Sequence, residues 1–211
     1  MINIALPTGR MGDKIYKMFD KMSYGCEDFY ADDRKLVKES TKNAVRYLLV
    51  KPSDVGIYVE RGAADIGVVG KDVILETSPD IYELLDLGIG KCSLAVAGKN
   101  GYVENTNSVL RVATKYANVT RDYYQSINRE IEIIRLNGSI ELAPLLGISD
   151  VIVDIVETGS TLRENDMSVF TYIHSSSARL VANKSSYKFK GARIEEIVGR
   201  MGDIIAKENG R

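Results

Sequence analysis

The chain has 211 residues, 45% of them hydrophobic, enough to build one large domain or two small ones around a sizeable core. A formal net charge of −1 gives no general attraction to nucleic acid or to a membrane surface, so any anion site must be a local cluster of Arg and Lys. The single histidine, His174, and the widely separated Cys26 and Cys92 argue against a histidine-rich metal centre, a Ser-His-Asp triad or a CxxC pair. The cysteines are expected as buried reduced thiols and His174 as a surface or supporting residue.

The start of the chain, Met1-Ile2-Asn3-Ile4-Ala5-Leu6-Pro7, has neither the basic region nor the long apolar core of a signal peptide. No segment is long enough to span a bilayer, which predicts a cytoplasmic protein with no membrane partner. Residues 2–6 read as a short apolar strand running into Pro7-Thr8-Gly9-Arg10. Met11, Ile15, Met18, Phe19 and Met22 then recur at helical spacing. Residues 47–50 form another apolar run, after which Pro52 and Ser53 introduce a helix that Gly62 closes. Residues 65–69 are strand-like and end at Gly70-Lys71-Asp72, with Val73-Ile74-Leu75 following. Residues 93–97 and 110–113 are strands on the same grounds, and a helix lies between Asn118 and Arg129 with Asn118 or Thr120 as its cap. Residues 131–136 predict a strand and 140–146 a short helix interrupted by Pro144. Three further strands follow at 151–156, 169–173 and 178–182, then an amphipathic helix over 194–206. Such alternation implies parallel strands with crossover helices, whose ligands gather at the strands' C-terminal ends. Gly88-Ile89-Gly90-Lys91 is a glycine-spaced stretch between the halves, so the layout predicts two α/β lobes with a cleft between them.

The most informative stretch runs from Val151 to Leu162. An unbroken β-branched run reads as a strand buried on both faces. It carries Asp154 in its middle and opens through Glu157 into Thr158-Gly159-Ser160-Thr161. A tight turn with a glycine and three hydroxyls at a helix start can wrap a phosphate in backbone N–H groups and side-chain donors. Asp154, a few residues upstream, can accept from vicinal ribose hydroxyls, so acid, spacer and hydroxyl-rich turn together match a 5-phosphoribosyl group. A plain strand–turn–helix capped by Ser160 or Thr161 accounts for the turn but leaves Asp154 unexplained. Arg10 at the end of the first strand, Arg34, and Lys51 at the end of the next apolar run are the cations placed to meet phosphates, Arg10 foremost.

These residues converge on a family. The segment from Asp54 to Asp72 (including Glu60-Arg61-Gly62-Ala63-Ala64-Asp65-Ile66-Gly67-Val68), the segment Leu136-Asn137-Gly138-Ser139-Ile140-Glu141-Leu142-Ala143-Pro144, and the stretch from Asp154 to Leu162 resemble ATP phosphoribosyltransferase. Lesser matches are Ala5-Leu6-Pro7-Thr8-Gly9-Arg10, Leu84-Leu85-Asp86-Leu87-Gly88, Val112-Ala113-Thr114-Lys115-Tyr116 and Arg179-Leu180-Val181-Ala182-Asn183. The resemblance implies a two-lobed α/β fold of the type II periplasmic-binding-protein kind with mostly parallel sheets. Residues 1–90 with 180–211 would form the first lobe and 91–179 the second. It implies transfer of phosphoribosyl from phosphoribosyl pyrophosphate, with Mg²⁺, to N1 of the adenine of ATP, the first step of histidine biosynthesis. Carried over by position, Thr158, Gly159, Ser160 and Thr161 would hold the 5-phosphate, with Glu157 on the same loop counted as substrate-binding. Glu141 and Asp154 would bind the ribose hydroxyls. Arg10 and Arg34 would be the catalytic cations facing the phosphates, and Lys51 with Gly70, Lys71 and Asp72 would line the other side. No side chain is assigned as a metal ligand.

The chain departs from the family pattern at Thr8, where a lysine is usual, at Lys51, where an arginine is usual, and at Gly56, where a proline is usual. Val153 stands where the type I phosphoribosyltransferase signature has the first of two acids, which is why Glu141 matters. The chain looks like the family's short form, without the long form's C-terminal regulatory domain. The resemblance therefore implies a separate regulatory subunit similar to the catalytic core of histidyl-tRNA synthetase, in a hetero-octamer. The competing reading is a two-lobed small-ligand-binding or effector-sensing module without catalysis. A solute receptor would carry an export signal, a sensing domain a fused helix-turn-helix, and a purine-salvage enzyme two adjacent acids.

Overall fold

A computed structural model describes residues 1–31 and 33–209. The chain divides into two units, Met1–Gly90 with Ser177–Arg211, and Lys91–Ser176. Unit 1 opens with β1 (Ile2–Pro7), α1 (Arg10–Phe19), β2 (Val37–Ser40), β3 (Val45–Val50), α2 (Val55–Glu60), β4 (Ile66–Gly70), α3 (Lys71–Thr77) and β5 (Tyr82–Asp86). Unit 2 holds β6 (Cys92–Lys99), β7 (Leu110–Thr114), α4 (Ala117–Ser126), β8 (Ile131–Arg135), α5 (Leu142–Leu145), β9 (Val151–Val156), α6 (Ser160–Glu164) and β10 (Met167–Ser176). The chain then returns to unit 1 through β11 (Ala178–Ala182) and α7 (Lys184–Asn209), which is broken at Lys190 (φ −119°, ψ 19°). No described helix is long and apolar enough to cross a membrane.

Unit 1 is a six-stranded sheet in the order β2-β3-β1-β4-β11-β5, and unit 2 a five-stranded sheet in the order β10-β6-β9-β7-β8. The expectation of mostly parallel sheets needs correction. Among the described residues four of the nine strand pairings are parallel, β1 with β3 and β4, and β7 with β8 and β9. The antiparallel pairings come from a β2–β3 hairpin, from β6 and β10 at one side of the second sheet, and from β11, which inserts against the direction of β4 and β5. The return point also lies at Ser177 rather than at 180, because all of β11 pairs within the first sheet. Residues 210 and 211 of the expected first lobe lie outside the described residues.

The central parallel strands β1, β4 and β7 are buried on both faces along most of their length, as their apolar composition requires. In β1, Ile2, Ile4 and Leu6 pack with Ile15, Met18 and Phe19 of α1 and with Ile194, Ile197 and Met201 of α7. Ala5, on the other face, packs with Val55 and Val59 of α2. α1 comes so close to the end of β1 that a Cβ on Gly12 would sit 1.8 Å from the Pro7 carbonyl oxygen. Only glycine allows that approach, and it seats Arg10 at the first helical position just beyond the strand.

Two strands, β2 and β5, are absent from the sequence reading. Both are short sheet edges in which charged residues break up the apolar ones, so neither shows a long run or a clean alternation. The cap of α4 is also different from the expectation. Tyr116 occupies the cap position, and its amide donates to Thr114 Oγ1 at 2.8 Å. Asn118 is already inside the helix, and Thr120 is fully buried within it. Pro144 does not interrupt α5; it occupies the third position, within the first turn, where no intrahelical amide is needed.

Buried Asp65 pins the start of the sheet to the break in α7. It accepts from Asn3 N at 2.8 Å, Ser186 Oγ at 2.7 Å and Lys190 Nζ at 2.7 and 2.9 Å. Burial alone would raise its pKa, but the hydrogen bonds from Asn3, Lys190 and Ser186 outweigh that and hold it below the ordinary 3.8. A depressed carboxylate contributes stability at pH above its unfolded value and loses it as pH falls through the folded one. Asp65→Asn is therefore expected to cost about 1–3 kcal/mol at pH 7. It should also flatten the loss of stability below about pH 4. Urea midpoints at pH 7 and pH 3 measure both; a mutant curve as steep as wild type would remove Asp65 from the account.

Candidate active site

In unit 2 the parallel strands lie in the order β9-β7-β8, so the loops that follow them emerge side by side at one sheet edge. Side chains alternate along β9: Ile152 and Val156 belong to one hydrophobic cluster, Val151 and Val153 to the cluster on the opposite face. Asp154 shares the face of Ile152 and Val156, where Ile140 and Ala143 near α5 and Leu162 of α6 also pack. Asp154 and Glu141, which directly follows Ile140, therefore lie over the same side of the sheet as the hydroxyl-rich turn. The Asp154 side chain is 19% exposed, and its Oδ1 accepts from Ile155 N at 2.8 Å.

The turn has the conformation its sequence requires. Gly159 stands at φ +70° and ψ 10°, the left-handed region open to glycine, and caps α6. Thr158 Oγ1 and Ser160 Oγ are 3.1 Å apart, and Ser160 N donates to Thr158 Oγ1 at 3.4 Å. Arg163 folds back to donate from its guanidinium to the Thr158 carbonyl at 2.9 Å, and Asn165 Nδ2 donates to the Thr161 carbonyl at 2.8 Å. Glu157, Thr158, Ser160 and Thr161 are exposed. Hydroxyls and a cationic side chain thus gather on a turn whose shape is set by its own side-chain-to-backbone bonds.

Sequence reasoning assigned no role to Lys115 or Arg163. Lys115 follows β7, the strand between β8 and β9, and its Nζ lies 4.0 Å from Asp154 Oδ1. The backbone beneath it is fixed: fully buried Thr114 donates from Oγ1 to the Val153 carbonyl at 2.7 Å while accepting from Tyr116 N. The signal available in the sequence was position alone, the first residue after a core strand beside the one bearing Asp154.

Unit 1 offers an equivalent edge. β3, β1 and β4 are parallel neighbours, so Lys51, Thr8-Gly9-Arg10 and Gly70-Lys71-Asp72 emerge from adjacent strand ends. Leu36 accepts at its carbonyl from Leu49 N at 2.8 Å, which brings the segment containing Arg34 to the same edge as Lys51. Arg10, Arg34 and Lys51 are exposed. The third loop behaves otherwise. Lys71 donates from Nζ to Glu83 Oε2 at 2.6 Å and from its amide to the Ser177 carbonyl at 3.0 Å. Asp72 is buried in the first turn of α3 against Gly70, where an acid complements the helix start. Gly70, Lys71 and Asp72 thus also tie the end of β4 to its neighbours.

A cavity of about 300 Å³ in unit 2 lies on the other face of the sheet, lined by Val96, Leu110, Tyr124 and Val151 among others. Its charged groups, Glu104 and Arg129, already pair at 2.6 Å. It opens on the face of β9 opposite to Asp154.

Residues 51–203 match the family described as HisG: ATP phosphoribosyltransferase. The chain is 58% identical over 206 residues to the ATP phosphoribosyltransferase of Brachyspira hyodysenteriae, covering 97% of this chain and 100% of that protein. It is 48% identical over 198 residues to the enzyme of the same name from Clostridioides difficile, covering 93% and 95%. Among solved structures it superposes on a chain of the ATP phosphoribosyl transferase (HisG:HisZ) complex from Thermotoga maritima with a TM-score of 0.87 at 32% identity, covering 98% of this chain and all of that one. The periplasmic aliphatic sulphonate binding protein SsuA from Escherichia coli shares the fold alone, with a TM-score of 0.63 at 12% identity over 99% of this chain and 74% of that one. The architecture is therefore the two-lobed type II periplasmic-binding-protein one. With its family pattern spanning both units and relatives aligned along nearly its whole length, the chain belongs to the ATP phosphoribosyltransferase family.

Proposed function

We propose that the edge formed by β7, β8 and β9 grips the phosphoribosyl donor and that Arg10, Arg34 and Lys51 of unit 1 act on phosphates. The reaction is that of the family: phosphoribosyl passes from phosphoribosyl pyrophosphate to N1 of the adenine of ATP, releasing pyrophosphate in the first step of histidine biosynthesis. The enzyme is a pentosyltransferase. What supports the residue assignment above all is the placement of Asp154 on the same sheet face as the turn around Gly159, with the carboxylate upstream of an amide- and hydroxyl-rich loop. Thr158, Gly159, Ser160 and Thr161 hold the 5-phosphate, and Glu157 opens their loop toward the substrate. Asp154 and Glu141 accept from the ribose hydroxyls.

Few titratable groups are required. Adenine N1 carries a free lone pair at neutral pH and attacks C1 of the ribose without prior deprotonation. The C1–oxygen bond breaks with its electron pair leaving on pyrophosphate, and the adenine ring, cationic after attack, sheds a proton to water. Charge develops on the leaving group, and preorganised cations aimed there are the form of help that counts most. Holding both substrates in line supplies the rest. Mg²⁺ is assigned, as the family resemblance implies, to the donor as its pyrophosphate complex and is part of the substrate. The reaction is placed in the cytoplasm, the compartment that holds ATP.

The purified chain mixed with ATP and phosphoribosyl pyrophosphate is expected to release pyrophosphate and form N1-phosphoribosyl-ATP, followed by absorbance. A ligand-binding module without catalysis yields neither product. The HisG:HisZ complex of the Thermotoga maritima relative supports a further assignment, a regulatory subunit of the HisZ kind; the hetero-octamer is proposed from the family resemblance alone. Histidine is then expected to inhibit the isolated chain poorly and to inhibit it well once that subunit is added, because coupling needs a partner whose states bind histidine unequally. Strong saturable inhibition of the chain alone, competitive with neither substrate, would place the regulatory site within these residues.

A further inference from the structure

We propose that Lys115 is a catalytic residue of the transfer, its ammonium binding the pyrophosphate leaving group at C1 while Asp154 holds the adjacent ribose hydroxyls; the assignment rests on the reading of the β9 edge given above. Lys115 Nζ stands 4.0 Å from Asp154 Oδ1 and 4.8 Å from the centre of the Tyr116 ring. At that separation the carboxylate steers the ammonium by charge without a hydrogen bond. No hydrogen bond from Nζ to any described residue forms, so its three donors remain available to a ligand. The side chain is 38% exposed, and so open to solvent its ion pair with Asp154 adds little to stability.

Its position is nonetheless tightly specified. Thr114 is tied to β9 through the Val153 carbonyl, and Tyr116, 4% exposed, is anchored behind the lysine. Lys115 is thereby held at the central loop of the edge, between the loop that carries Glu141 and the one that carries Gly159. In the donor, C1 bears the pyrophosphate and is bonded to C2, whose hydroxyl belongs to the diol that Asp154 accepts. A cation set next to the diol acceptor thus lies within reach of the α-phosphate. As the C1–oxygen bond breaks, both electrons go to the pyrophosphate oxygen, and Lys115 stabilises the growing charge without giving up a proton.

Lys115→Met and Lys115→Arg in the full chain test this, with turnover, KM for both substrates, and calorimetric binding of inorganic pyrophosphate and ribose 5-phosphate. Lys115→Met is expected to lower kcat about 100-fold, the usual effect of losing one donor at a developing charge. The KM for phosphoribosyl pyrophosphate should move by less than about fivefold. Pyrophosphate binding should weaken, ribose 5-phosphate binding should hold, and Lys115→Arg should recover part of the turnover. Turnover of Lys115→Met within about threefold of wild type overturns the proposal. So does loss of ribose 5-phosphate binding with pyrophosphate binding intact, because the lysine would then only prop Asp154. Gly159→Val separates the two levels. If that variant binds ribose 5-phosphate normally, the reading of the β9 edge falls and the Lys115 assignment with it. If it loses ribose 5-phosphate while Lys115→Met turns over normally, only the lysine assignment falls.

Discussion

Gly159→Val is expected to weaken binding of phosphoribosyl pyrophosphate by at least about 100-fold, the equivalent of losing two charge-assisted hydrogen bonds to a phosphate. The glycine stands at φ +70°, where a β-branched residue clashes with its own backbone, so the turn must open to relieve it. A Cβ there would also lie 3.1 Å from a guanidinium nitrogen of Arg163, the same nitrogen that holds the Thr158 carbonyl. Both effects turn the loop's amides and hydroxyls away from a common centre. The change falls on an exposed loop, so the cooperative unfolding transition should survive with a small drop in midpoint. Thr161→Ala removes one hydroxyl and leaves the backbone alone, so about tenfold is expected for it. Calorimetry with phosphoribosyl pyrophosphate, alongside thermal melts, decides the matter. Near-normal affinity in a folded Gly159→Val protein would mean that the 5-phosphate binds elsewhere.

The local structure of the turn was legible because it is written in adjacent residues: a β-branched strand that no polar alternation interrupts, then a glycine that takes the left-handed conformation ahead of a short helix. The placement of Arg10 and Lys51 was legible for a related reason, each standing at the end of an apolar run, and parallel pairing brings those ends together. The reading failed where pairing partners were invisible. β5 gives no periodic signal, and because it was not seen, the ion pair of Lys71 with Glu83 at the end of β4 was not foreseen. Lys115 shows the converse. Its role depends on β7 lying between β8 and β9, an order that sequence alone does not state, and a lone lysine after a strand otherwise reads as a solvated surface charge. The cap of α4 was misplaced because Thr114, the residue that accepts from Tyr116, belongs to the preceding strand and bonds across to β9 as well. Each miss is a tertiary fact, and each is carried by one identifiable contact.

Arg10→Ala is expected to lower kcat by about 100- to 1,000-fold while raising the KM for either substrate far less, because leaving-group charge grows mainly in the transition state. The position itself is well enforced. α1 meets β1 at Gly12, which fixes the first turn against the Pro7 carbonyl, and Thr8 N donates to the Val50 carbonyl at 2.8 Å, locking the loop between them. Arg10 is exposed at that first turn, and its side chain makes no ion pair with any described residue, so removing it should leave stability within about 0.5 kcal/mol of wild type. Arg10→Lys should recover only part of the turnover, because an ammonium keeps the charge but loses the planar fork that meets two phosphate oxygens at once. Arg34→Ala, on the neighbouring segment beside β3, should follow the same pattern with its own magnitude. Steady-state kinetics with single-turnover rates separate the steps. If Arg10→Ala raised KM with kcat untouched, the guanidinium would be a ground-state phosphate contact, and the stabilisation of the departing pyrophosphate would have to come from other cations.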